Sequence, residues 1–339
     1  ASAPPRAAAH SALLPAASGG VAPPRPVPRV RVTSARDFEA VAAAGEPAVL
    51  IGLDMGRAPA TWGPEYLAGA VPPERVVPVH VAADRMVDLA GHRKKNTKKN
   101  FQFVEVPFPE LMRRMEGGEA ARGLPPIKAA GERYYMRSVA AGKGPVHFPR
   151  EYPELAGDIP LPSMLYGEGQ YHSSVLRVAS GGTSLWTHFD THDNVLMEVV
   201  GRKRCVLWPP WSEPCMYVEG SSSRVEDIDD PRVGDKYPLF ELARGERREC
   251  ELGPGEALFL PALWFHHIAS LEFTAAVNVF WRGGGLPREA FSPKDWYGNK
   301  DPVAATEAAD LVARAAAALA ALPEPYRSFY GTRAANSMR

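Results

Sequence analysis

The sequence predicts a mainly β protein with added helices, of the α+β class, whose strands close into a sandwich or barrel. Three observations carry this reading. From about residue 171 short apolar runs rich in β-branched residues follow one another closely. Gly and Pro punctuate them, and the one long helical signal comes after them, from Pro302 to about Leu322. Short strands separated by such turns favour a sandwich or barrel over a parallel sheet.

Taken in order, residues 1–28 hold nine Ala and seven Pro, and no acid precedes Asp37. Such a stretch cannot bury enough apolar surface to offset its ordering entropy, so a disordered arm is expected. An acid-free, Ala-rich start containing Arg also resembles an organelle transit peptide. Structure should begin near Arg29, with alternating Val30, Arg31 and Val32, then a short helix capped by Ser34. Residues 48–52 read as a buried strand and 76–81 as another, with Pro78 requiring an edge position. A short helix is expected over 107–116. Strands follow at 173–179 and 195–200. Gly201-Arg202 reads as the turn of a hairpin into 203–208. Further strands are expected at 257–261 and 275–281, and then a helix with Asp301 as N-cap and Pro302 at its first position. A second short helix should follow Pro325.

Composition excludes several classes. In 339 residues, 39 Lys+Arg balance 39 Asp+Glu, which argues against a wholly basic nucleic-acid coat. No uninterrupted run of 18 apolar residues suggests a membrane span. Cys205, Cys215 and Cys250 are too few and too scattered for a disulfide framework or a Cys-based zinc site, and an odd count favours a reducing compartment. They read as isolated thiols.

One group of histidines has ligand spacing. His188 and Asp190 flank Phe189 in a strand-like context, and side chains two apart on a strand share a face. An imidazole and a carboxylate on one face need a third ligand. His266, after the run from Phe259 to Phe265, is the candidate, with His267 as an adjacent competitor pointing elsewhere. Two His and one carboxylate leave coordination positions open, as suits non-haem Fe(II). Lys203 falls within an apolar strand. It is either the first solvated residue after a turn or an inward ammonium, costly unless paired, that a dicarboxylate ligand would meet.

His188-Phe-Asp190, Asn194, Lys203, the run from Gly255 to His266 and Asn278 together resemble the JmjC/cupin-type Fe(II)- and 2-oxoglutarate-dependent hydroxylases. The similarity is greatest to those that act on the wybutosine base of tRNA-Phe. It extends over about 134–330, including ERYYMRSV at 132–139 and the C-terminal tail. The resemblance implies a double-stranded β-helix (jelly-roll) core with an N-terminal α/β flank. It implies Fe(II) on His188, Asp190 and His266, 2-oxoglutarate on Tyr135, Asn194, Lys203 and Asn278, and O2 as oxidant. The implied reaction couples decarboxylation of 2-oxoglutarate to hydroxylation of an unactivated carbon. It further implies a catalytic domain over 29–284 and homodimerisation through helices in 285–339, in a cytoplasmic protein unless the N-terminal arm targets an organelle. His192 and His267 lie beside two of the implied ligands and read as structural or supporting residues.

Arg93, Lys94, Lys95, Lys98 and Lys99, with no acid among them, precede Phe101 and Phe103. The run is either a solvated loop or a phosphate-contacting patch with aromatics able to stack a base. The tRNA assignment follows from the resemblance. Tyr217 and Trp211 are candidates for an aromatic entrance beside the metal. Relatives of this fold also hydroxylate Asn, Asp or His side chains of proteins, which is the alternative reading, and a non-catalytic binding cupin is a third.

Overall fold

The computed structural model describes residues 23–83, 86–87, 101–283 and 285–338. The basic run 93–99 and most of the N-terminal arm lie outside the described residues. Two β-sheets face each other. One has eight strands, ordered Arg25–Pro26, Arg248–Leu252, Lys203–Trp208, Phe265–Ser270, Ser184–His188, Ser222–Ser223, Val218–Glu219, with Met86–Val87 also against Ser184–His188. The other has nine, ordered Arg29–Arg31, Ala48–Ile51, Glu256–Leu260, Asp193–Val200, Thr274–Trp281, Tyr171–Ala179, Arg133–Arg137, Val76–Ala82, Phe101–Pro107.

From Tyr171 onward the chain changes sheet at nearly every step, which is the winding of a jelly roll. The hairpin expected at 195–208 is therefore not formed. Asp193–Val200 pairs with Glu256–Leu260 and Thr274–Trp281, whereas Lys203–Trp208 pairs with Arg248–Leu252 and Phe265–Ser270. Gly201 does turn the chain, but across the barrel. Its φ of +77° is left-handed, and a Cβ there would lie 2.0 Å from the Phe273 carbonyl oxygen, so only glycine fits.

Both faces of the larger sheet are covered, which explains its near-continuous apolar strands. Leu196, Leu258 and Leu260 point into the barrel against Cys205, Leu207 and Ile268 of the opposite sheet. Val195, Met197, Val277 and Val279 point outward onto Phe38, Leu67, Leu111, Met112 and Phe148 of the N-terminal flank. The outer face of the smaller sheet, including Val206, Trp208 and Phe265, is covered by Met216, Tyr237 and Phe240 from the insertion between Trp208 and Arg248.

Ser34 and Asp37 form a reciprocal capping box on the helix Ala35–Ala44, as expected. Pro78 lies in a strand with neighbours on both sides, but Arg133–Arg137 pairs only with Val79–Ala82, so Pro78 sits where the strand is locally an edge. Pairing begins before Arg29. Arg25 and Pro26 lie parallel to Arg248 and Glu249, and Val27 is buried, so the end of the presumed arm belongs to the barrel. The helix Val303–Ala320 starts one residue later than expected, with Pro302 as N-cap. The thiols are not all isolated: Cys205 and Cys250 are free but directly opposed on adjacent strands.

Candidate metal centre and its two chambers

His188 ends its strand, Asp190 follows in the adjoining turn, and His266 lies on the antiparallel neighbour in register with His188. Ligand atoms of the three lie within 4.8 Å of one another, and His266 Nε2 is 3.7 Å from Asp190 Oδ2. One device orients both rings. His188 Nδ1 donates to the Trp186 carbonyl at 2.9 Å, and His266 Nδ1 to the Trp264 carbonyl at 3.0 Å. Each Nε2 is thereby left as a lone pair facing the other ligands. Burial, and for His188 also the neighbouring His266, holds both imidazoles below their ordinary range, so they are neutral and ready to ligate near pH 7.

The two motifs are distant in sequence, and backbone contacts bring them together. Leu263 N–H donates to the Asp190 carbonyl at 2.8 Å, and Ala262 N–H to Asp193 Oδ1 at 2.8 Å. The first contact needs a left-handed φ of +70° at Leu263, an uncommon conformation for a residue with a side chain. Phe189 points away, onto Phe265. His267 also faces outward, 3.4 Å from Thr187 Oγ1, so His266 alone of the two can serve. His192 packs on His172 and Phe291, away from the three ligand atoms.

Two cavities meet at this centre. The inner one is lined by Asn194, Lys203, Asn278, Ser270 and Thr274 at its buried end and by Tyr135, Arg177, His188, Asp190 and His266 at the other. All four residues that the resemblance placed on 2-oxoglutarate are therefore brought to one cavity. Lys203 is inward and buried, but not unpaired: its ammonium is held by Glu198 at 2.8 Å, so the chain itself supplies the partner that the sequence reading assigned to a ligand. Asn278 Nδ2 donates to Asn194 Oδ1 at 2.9 Å, and Asn278 Oδ1 has no partner among the described residues.

The outer cleft shares Tyr135, Arg177, Leu185, His188 and Asp190 with the inner cavity. It adds Arg137, Trp186, His80, Phe103, Tyr297 and Asn299, and the exposure of Phe103 and Tyr297 opens it to solvent. The expected aromatic entrance exists with other residues. Trp211 packs on Trp264 and Tyr217 on Tyr237, and neither lines the cleft. Tyr297 and Asn299 also show that the segment before the C-terminal helices belongs to the site rather than to a separate helical region.

Sequence reasoning missed Arg137 and Arg177. They face each other on adjacent strands, Arg177 bonded to the Tyr135 hydroxyl and Arg137 stacked 4.4 Å over the Tyr297 ring. Burial and the neighbouring Arg177 pull the Arg137 guanidinium down to about 10, so it stays charged at neutral pH. The available signal was the one used for Lys203, a cation inside an apolar strand run.

Fold and site together define a cupin-like protein with three side chains placed to hold a metal ion, and a family model for the cupin-like domain matches residues 34–284. The chain belongs to that family. It is 42% identical to mouse tRNA wybutosine-synthesizing protein 5, over 90% of this chain and 92% of that protein. It is 40% identical to the human protein of the same name, over 91% and 93%. It is also 34% identical to tRNA wybutosine-synthesizing protein 4 of Neurospora crassa, covering 93% of this chain but 25% of that longer protein.

Proposed function

We infer that the protein is an Fe(II)- and 2-oxoglutarate-dependent dioxygenase that hydroxylates the wybutosine side chain of tRNA-Phe, next to the anticodon. One observation carries the reading: the His188–Asp190–His266 cluster forms the wall between a buried, cation-ended cavity and an aromatic cleft open to solvent. The donor set fits Fe(II), with two neutral imidazoles whose other nitrogens are committed to carbonyls and one carboxylate, leaving positions for other ligands. When bound, the iron supplies oxygen activation driven by decarboxylation of the keto-acid.

The chain's residues do the rest. Lys203 anchors the distal carboxylate of the cosubstrate, and Asn194, Asn278 and Tyr135 supply polar contacts along its length. The buried strand residues around Leu196, Leu260 and Ile268 keep water out. In the outer cleft, Phe103, Trp186 and Tyr297 offer faces for a splayed-out base, as RNA recognition requires. Arg137 and Arg177, whose nearest acid at the site is a metal ligand, favour an anionic substrate. The five cations Arg93, Lys94, Lys95, Lys98 and Lys99 lie just upstream of Phe101 and extend that preference to phosphates. The exposed Leu311, Val312, Tyr326, Phe329 and Tyr330 on the C-terminal helices suit a second copy of the chain, and 29–284 would then be the catalytic unit.

The test is incubation with tRNA-Phe carrying the unhydroxylated base, followed by nucleoside mass analysis. A gain of one oxygen that requires Fe(II) and 2-oxoglutarate is expected. No gain on tRNA, with a gain on a protein side chain, would replace this reading with the alternative one.

A further inference from the structure

This inference rests on the reading above, in which a keto-diacid fills the inner cavity. Glu198 lies on the strand Asp193–Val200, four residues after Asn194 and on the same inward face. Its side chain is fully buried, and its two oxygens lie 2.8 and 3.0 Å from the Lys203 ammonium. With Glu198 ionised the pair is neutral. A diacid that reaches Lys203 therefore brings a second carboxylate to an ammonium that already has one. Two carboxylates at one buried cation repel, and a proton relieves the repulsion.

Among the described residues the surroundings offer no other relief. Glu256 lies directly across the sheet from Glu198 and is held by Arg29 and the Gly253 N–H. Glu272, beyond the next turn, is held by Arg202 at the surface, and the Cys205 thiol is the remaining titratable group facing Glu198. None of these is a cation free to neutralise a second carboxylate. We propose that Glu198 is a positioning residue that aims the Lys203 ammonium into the inner cavity and takes up one proton from solvent when the distal carboxylate of the diacid docks. The proton adds to a Glu198 oxygen and no other bond changes; Glu198 acts from behind Lys203, which lines the cavity and meets the incoming carboxylate. Burial already lifts the Glu198 carboxyl to about 7 in spite of Lys203, so this uptake occurs near neutral pH.

The sign follows. The complex holds up to one more proton than its separated components, a small fraction at pH 6 and nearly one at pH 8, so affinity falls as pH rises. For a group titrating near neutrality, the loss from pH 6 to pH 8 is about tenfold. His267, held down to about 4, stays neutral across this range, and the iron-site histidines are occupied by metal.

The experiment is calorimetric titration of 2-oxoglutarate into Mn(II)-loaded protein at pH 6, 7 and 8, in two buffers of different protonation enthalpy. Uptake of up to one proton per ligand and about a tenfold loss of affinity from pH 6 to pH 8 are expected. Glu198→Gln should abolish both effects and bind more tightly than wild type at pH 8. Wild-type binding without proton uptake, or weaker binding by Glu198→Gln at every pH, overturns the proposal while leaving the dioxygenase reading intact. No binding by either protein at any pH overturns both. If Glu198→Gln does not fold, the proton count on the unaltered protein decides the question.

Discussion

The two chambers that meet at the metal centre are built in different ways. The inner cavity is made of barrel strands, and its groups are spaced by strand periodicity: Asn194 and Leu196 on one strand, Lys203 on the next, Asn278 opposite Leu196. The outer cleft is assembled from Phe103 and His80 of the N-terminal flank, Arg137 at a strand end, and Tyr297 and Asn299 from the segment before the terminal helices. The first is rigid because barrel packing fixes each side chain. The second adds to such strands a segment outside the barrel, the one that carries Tyr297 and Asn299. The difference assigns the metal and cosubstrate chemistry to the barrel and substrate choice to the added parts.

That division can be broken by variants that separate succinate formation from hydroxylation. His266→Ala should have the largest effect, removing the shared centre. Both iron binding and turnover should fall by about three orders of magnitude or more, read by metal titration and succinate release. Lys203→Met should come next. Loss of one partner of a buried charge pair costs about 2–5 kcal/mol, so the 2-oxoglutarate KM should rise by about 30-fold or more with the tRNA KM little changed. Arg137→Met should act in the opposite sense. It should lower kcat/KM for tRNA by about 10–100-fold, a loss of about 1.5–3 kcal/mol, and leave tRNA-independent succinate formation intact. Phe103→Ala removes one face for base stacking, worth about 1–3 kcal/mol, and should likewise change only the tRNA-dependent rate.

The same comparison explains what could be read from sequence. The triad was legible because the His188-x-Asp190 spacing marked a ligand pair and an aromatic run led to His266. The strand nevertheless ends at His188, and Asp190 joins it from the segment just beyond rather than from the same strand face. Lys203 was legible because an ammonium inside an apolar strand requires a partner. That its partner is Glu198 was not, since Glu198 sits in a run that reads as any buried strand. The hairpin at Gly201 was misread for a physical reason. Residues 195–200 are buried on both faces, so their pattern does not tell pairing with the next strand from crossing to the other sheet. Of the outer cleft, Phe103 was legible from the basic and aromatic run, whereas Tyr297 was not, because it lies far along the chain and meets the cleft only in the folded protein.

A smaller effect concerns the supporting histidines. Burial pulls His267 down to about 4 and His172 to about 3, so the unfolded chain takes up their protons first as pH falls. Their neutral forms stabilise the fold fully above the unfolded value of about 6.5, and that contribution is lost as pH drops toward about 4. From pH 7 to pH 5.5 the loss should be about 1 kcal/mol for each, seen as a falling Tm.

The central claim is that one iron ion and one keto-diacid are held together by residues from distant parts of the chain. Its most direct test is anaerobic titration with Fe(II) and 2-oxoglutarate, followed by visible absorption. A metal-to-ligand charge-transfer band should appear only when both are present, saturate at one iron per chain, and be lost in His266→Ala. Absence of the band at saturating iron and 2-oxoglutarate, or its persistence in His266→Ala, would contradict the account.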